Sequence, residues 1–158
     1  MHRFYSALFI SFIVSGCGSK VPADKEMLAV FQSKKAHFEH LQTVLCSSNE
    51  RRVVMMDPEW SEPQVSDNEK AKLYSIYREI GAKGVYYDGD CSFRIAVWSV
   101  GFGGDGDYKY YSYRPKAERT ERARVVSTLD KVDRGSETVE FYLRPIVGHW
   151  YLAFDHWP

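Results

Sequence analysis

Long apolar runs are scarce in this chain. The most extended one, Phe4 to Val14, covers 11 residues and is interrupted by Ser6 and Ser11. A membrane-spanning helix needs roughly 20. Charge of one sign is also missing: 21 Lys and Arg residues face 21 Asp and Glu residues. That balance gives no electrostatic reason to expect a nucleic-acid partner. Cysteine occurs three times, without the paired C-x-x-C or Cys/His spacing of a structural zinc site. Internal repeats and low-complexity tracts are absent, and so are a nucleophile elbow and a sequence-local Cys–His pairing. These absences leave a non-enzymatic domain with no expected cofactor or metal. A hydrolase whose acids converge only in three dimensions is the weaker alternative.

What is present begins with the N-terminus. Met1-His2-Arg3 is a short basic head, the apolar run follows, and Ser15-Gly16 supplies small residues before Cys17. This is the layout of a secretory signal peptide. A buried core helix fits poorly, because Lys20, Pro22, Asp24 and Lys25 follow so closely. Val14-Ser15-Gly16-Cys17 resembles the bacterial lipobox. The resemblance implies cleavage after residue 16, a diacylglyceryl thioether on Cys17 and an acylated amine there, and two or more acyl chains give stable anchoring. Gly18 stands where an aspartate signals inner-membrane retention in Gram-negative lipoproteins. The resemblance therefore implies the outer membrane, facing the periplasm, with the lipid bilayer as first partner.

Three segments are expected: a signal peptide over 1–16, a lipidated tether over 17–23, and one globular α+β domain over 24–158 that behaves as a monomer. With Cys17 carrying lipid, Cys46 and Cys91 remain as an even pair in an oxidising compartment, where a disulfide is expected. Two buried free thiols are the alternative.

Within the domain, Met27, Leu28, Phe31, Phe38, Leu41 and Leu45 recur at helical spacing, which predicts one amphipathic helix from Asp24 to about Cys46 with Asp24 as N-cap. Val53 to Met56 is a strand candidate. Ser66 with Glu69 forms a capping-box pattern, and Leu73, Ile76, Tyr77 and Ile80 predict a second helix that stops at Gly81. The period then changes from 3.6 to 2. Strands are expected at 85–87, 92–100, 108–114, 139–144 and 150–155, with turns at Asp88-Gly89-Asp90, at 101–107 and at Gly148. Phe93, Ile95 and Val97 are expected on one face of their strand, opposite Arg94, Ala96 and Trp98. The last two strands read as a hairpin with one apolar face and one solvated face. Residues 116–131 read as an irregular or short helical excursion. The fold class is therefore α+β: two N-terminal helices followed by an antiparallel β-meander of about four to six strands. This order, ending in Gly148-His149-Trp150-Tyr151-Leu152, is similar to that of small uncharacterised bacterial secreted proteins and implies no particular activity.

Several residue groups invite a chemical reading. Gly101, Gly103 and Gly106 match a dinucleotide fingerprint by letter, but that motif must open a helix, and a strand is predicted after it. Asp88, Asp90, Asp105 and Asp107 lack the glycine and glutamate positions of an EF-hand. His37 and His40 have no third ligand in sequence, and His149 and His156 read as solvent-facing. Two charged segments remain. Residues 57–69 hold five acids and no Lys or Arg around Trp60, while 114–124 hold five basic and two acidic residues. Solvated loops account for both. The acidic segment also has the character of a binding edge, with Glu59 and Glu62 steering a protein partner and Trp60 anchoring it. The basic segment suits anionic headgroups. The leading expectation is a membrane-anchored protein-binding module, in one version an immunity-type lipoprotein. The alternative is a binder of small ligands or envelope components through the Tyr-rich sheet face, including Tyr110, Tyr142 and Tyr151.

Overall fold

A computed structural model describes residues 20–47, 52–55, 66–101, 105–133 and 135–158. Residues 1–16, expected to be a signal peptide, with Cys17, and the acidic-segment residues Glu59, Trp60 and Glu62, lie outside the described residues.

The helical reading of the N-terminal region holds, with one break. Helix α1 spans Asp24–Ser33 and α2 spans Lys35–Cys46. At the junction the Val30 carbonyl accepts both Ser33 Oγ, at 3.2 Å, and the Lys34 N–H, at 2.9 Å. A serine bonding back to its own turn competes with the helical ladder and bends it. Met27 and Phe31 of α1, and Phe38, Leu41 and Leu45 of α2, still share one buried seam. Asp24 is not the N-cap. Ala23 takes that position, its N–H donating to Glu26 at 2.9 Å, while Asp24 is drawn into the interior.

Strand β1 (Arg52–Met55) precedes α3 (Asp67–Ile80), which buries Leu73, Ile76, Tyr77 and Ile80 and ends at Gly81 with φ +70°. That left-handed value suits glycine at a helix C-terminus. Then come β2 (Gly84–Gly89), β3 (Ser92–Val100), β4 (Gly106–Tyr113), a single helical turn α4 (Ala117–Thr120), β5 (Ala123–Val125), β6 (Glu140–Val147) and β7 (Trp150–Trp157). They form one seven-stranded sheet in the order β1-β2-β3-β4-β7-β6-β5. All pairings are antiparallel except β5–β6. The fold is α+β, with β5 added to the expected strands. Only three residues long, β5 is too short to show a period, and its parallel partner β6 supplies its place.

Two local irregularities redirect side chains. The β2–β3 turn is centred on Asp90 and Cys91, with φ 54° and 57°, one step beyond the Asp88-Gly89-Asp90 signal. Both positive values match the twist that a two-residue hairpin turn needs. A register shift between Ala96 and Trp98 against β4 adds an extra residue to β3. A bulge of that kind reverses the alternation. Trp98 therefore joins Phe93 and Ile95 in the core, contrary to the strict alternation of the sequence.

Helices α1, α2 and α3 cover one face of the sheet. Phe31, Phe38, Tyr111 and Trp150 meet with ring centroids 4.7–6.2 Å apart, and Phe93 and Tyr113 extend the cluster. Cys46 at the end of α2 is disulfide-bonded to Cys91 in the β2–β3 turn, with Cα atoms 4.4 Å apart. Closing a loop of 45 residues stabilises the fold by about 4 kcal/mol on the chain-entropy account. The same helical face buries Lys109, its Nζ 2.7 Å from Asp24 Oδ1, 3.0 Å from Asp130 and 2.8 Å from the Pro22 carbonyl. Asp24 also accepts from Arg144 and from the Leu129 N–H, both at 2.7 Å. None of the described helices is long and apolar enough to cross a membrane.

Candidate functional site

The opposite face of the sheet carries the site. Strand alternation places Tyr108, Tyr110 and Ser112 of β4 on this face, beside Arg94 and Ala96 of β3 and opposite Asp155 and Ala153 of β7. The expected solvated face is not solvated here. Tyr110, Leu143 and Ala153 form a second small core, and Asp155 is 3% exposed. The cover comes from residues 116–131, expected as an irregular or short helical excursion, where the helical turn α4 forms. Arg119 of α4 lies over the Phe141 ring, 4.9 Å from its centroid, and its guanidinium pairs with Asp155. Its Nη1 also donates to Tyr110 OH at 2.5 Å, and Tyr110 OH donates to Asp155.

The environment sets the protonation of this trio. Burial pushes the Asp155 carboxyl above its ordinary value, and the hydrogen bonds from Arg119 and Tyr110 only partly offset that. Burial, reinforced by the neighbouring Asp155 charge, raises the Tyr110 phenol well above its usual range. Tyr110 is therefore a fixed neutral donor at physiological pH.

A cleft of about 260 Å³ opens above this trio. Tyr86, Tyr108, Tyr110 and Trp157 give it aromatic walls, and Arg94 and Arg119 close its inner side. Arg94 is held by a bidentate pair with Asp88, at 3.1 and 3.0 Å, and its guanidinium lies 5.1 Å from the Tyr86 ring centroid and 5.9 Å from that of Tyr110. Trp157 remains 37% exposed at the rim, packed edge-on against Phe141. An apolar hollow with a few fixed polar groups is the ordinary form of a small-molecule site.

The sequence-derived candidates scatter relative to this cleft. Of the Tyr-rich set, Tyr110 lines it. Tyr151 is half-buried elsewhere on the same face, and Tyr142 packs into the opposite, helix-covered core. Glu59 and Trp60, with Glu62, are outside the described residues. His156 is a correction: it is 7% exposed rather than solvent-facing, bonded through Nδ1 to Asp107 and through Nε2 to the Ser136 carbonyl, both at 2.7 Å. The hydrogen bond to Asp107 is the main reason its pKa rises above 6.5. His149 is exposed at the β6–β7 turn. Asp88 and Asp107 are engaged by Arg94 and His156, and the described residues contain no group of three His, Cys, Asp or Glu side chains arranged for a metal. The residue after Gly106 continues a strand, not a helix.

Arg94, Arg119, Asp155 and Trp157 were not singled out from the sequence. The five basic residues of 114–124 were the available signal for Arg119, and the alternation in β7 placed Asp155 on the right face with the wrong environment. No protein-family model, curated protein or solved structure matches the chain.

Proposed function

We propose that the chain is a membrane-anchored, non-enzymatic binding module of the bacterial envelope, and that the aromatic cleft over β3, β4 and β7 is its ligand site. The observation that carries this is the cleft itself. Four aromatic side chains surround a hollow whose floor is pinned by Arg94–Asp88 and by the Tyr110–Arg119–Asp155 trio. Side chains held in place before a ligand arrives lose little freedom on binding, which favours affinity. The occupant is a small envelope molecule, as the Tyr-rich sheet face suggested.

The address rests on the lipobox-like Val14-Ser15-Gly16-Cys17. The Cys46–Cys91 disulfide is compatible with an oxidising compartment such as the periplasm. Acylation of Cys17 at the outer membrane is tested by mass spectrometry of the N-terminal peptide. A diacylglyceryl adduct is expected, and an unmodified thiol on residue 17 removes the anchor from the account.

The site is tested by native mass spectrometry of the full chain purified from envelopes. A small adduct is expected on the parent chain and not on Trp157→Ala combined with Tyr86→Ala. The same adduct on both proteins excludes the cleft.

A protein partner, including a toxin in the immunity-type version, is favoured instead by the concentration of five acids around Trp60 in residues 57–69. Crosslinking in intact cells separates the two. One dominant protein lost on changing Glu59, Trp60 and Glu62, but kept on changing the cleft, selects that reading.

A further inference from the structure

Next to the aromatic cleft lies a second, polar hollow of about 230 Å³. The two share Arg94 and Arg119, which stand between them as a common wall. Ser112 lines the polar hollow and is fully buried, yet its Oγ has no hydrogen-bond partner among the described residues. Leaving a buried hydroxyl unpaired is costly, so one beside two guanidinium groups calls for an explanation.

The spare donors around it favour an anion. Arg94, Arg119 and Lys116 line the hollow with Asp88 and Glu118, and Asp155 balances part of the Arg119 charge. The described bonds of Arg94 use Nε and Nη2, and those of Arg119 use Nη1. Donors of both forks are therefore left over, and the guanidinium fork matches planar or tetrahedral oxyanions. The nearest carboxylate contact of Lys116 is 3.7 Å away, on the exposed Asp90, so its charge is weakly committed. A cationic ligand fits badly. The Tyr86 and Tyr110 ring faces that would hold it already carry Arg94.

Resting on the reading of the cleft as a ligand site, we propose that the two hollows form one composite site for an oxyanion borne on an apolar body. The carboxylate or phosphate sits against Arg94, Arg119 and Ser112 Oγ. The aromatic or aliphatic body lies against Tyr86, Tyr108 and Trp157. The ligand chemistry is that of an anionic amphiphile, whether a soluble metabolite or the head of an anionic lipid.

Phenyl phosphate is the probe, titrated calorimetrically into the full chain held in nanodiscs of phosphatidylcholine. Inorganic phosphate and phenol are the two half-probes. Phenyl phosphate is expected to bind at least about tenfold more tightly than either half. Ser112→Ala is expected to weaken it about tenfold, the scale of one hydrogen bond to a charged group, and to leave the melting temperature unchanged or higher. A merely structural serine would show the reverse pattern. Lys116→Gln is expected to weaken it about threefold. Phenol binding as tightly as phenyl phosphate overturns the oxyanion assignment while leaving the cleft a ligand site. Inorganic phosphate binding as tightly as phenyl phosphate overturns the composite. No binding by any probe overturns the composite and counts against the cleft. Replacing a third of the disc lipid with phosphatidylglycerol separates the sources: competition with phenyl phosphate identifies a lipid head, and its absence a soluble ligand.

Discussion

Among the described residues each face of the sheet buries one aspartate, and the two behave in opposite ways. Asp24, under the helices, is 1% exposed, and Asp155, on the cleft face, is 3% exposed. Burial alone raises both pKa values. At Asp24 that effect is overcome by hydrogen bonds from Lys109, the Leu129 N–H and Arg144, so the carboxyl lies below its ordinary 3.8. At Asp155 Arg119 and Tyr110 do not suffice, and the value rises. Two side chains of one type thus differ in how deeply the surrounding protein encloses them and in the number of donors that converge on them. One joins α1, β4, β6 and the 128–130 loop into a single body, and the other stands beneath an open cleft.

The largest expected effect breaks the first aspartate. Asp24→Ala leaves Lys109 and Arg144 without their shared carboxylate, and removing one partner of a buried pair costs about 3–5 kcal/mol. Urea unfolding should show the loss as a lower midpoint with an unchanged slope. Asp155→Asn keeps the shape and an acceptor for Arg119, so a loss of about 1–2 kcal/mol is expected. A larger loss than that of Asp24→Ala would invert the comparison.

Acid sharpens the contrast further. Asp24 has a folded pKa below its unfolded one, so its contribution is present above about pH 3.8 and disappears as pH falls through the folded value. Asp155 has a folded pKa above its unfolded one. Its contribution is fully present below the unfolded value and is lost as pH rises through the folded one. Between pH 5 and pH 3 the two oppose each other. Urea midpoints across that range should fall more steeply in Asp155→Asn than in the parent, and less steeply in Asp24→Asn. Parallel curves for all three would show that neither carboxylate governs acid stability. The smallest effect belongs to the rim: Trp157→Ala, at an exposed strand end, should shift stability by less than about 1 kcal/mol while removing a cleft wall. A loss beyond about 2 kcal/mol in thermal unfolding would make Trp157 a core residue.

The elements were legible where a period was long enough to see. The end of α3, the β6–β7 hairpin and the strand from Ser92 to Val100 all follow from spacing, and so does the helical reading of 24–46. Period alone did not reveal the Ala96–Trp98 bulge, because one extra residue reverses the faces without changing composition. Nor did it show that the second face is covered. That depends on Arg119 reaching Asp155, 36 residues away in sequence. Composition places Tyr110 and Tyr142 on one tyrosine-rich face, but strand pairing sends the two to opposite sides. The site as a whole is a non-local object, assembled from β2, β3, β4, α4 and β7, and no stretch of chain contains its signature.

The bond from Lys109 Nζ to the Pro22 carbonyl has a mechanical meaning. Strand β4 is the fourth of seven in the sheet, paired along its length with β3 and β7. A pull applied through the residues before Pro22 is delivered to this middle strand as well as to the end of α1. The start of α1 is thereby tied to the middle of the sheet as well as to its own helix.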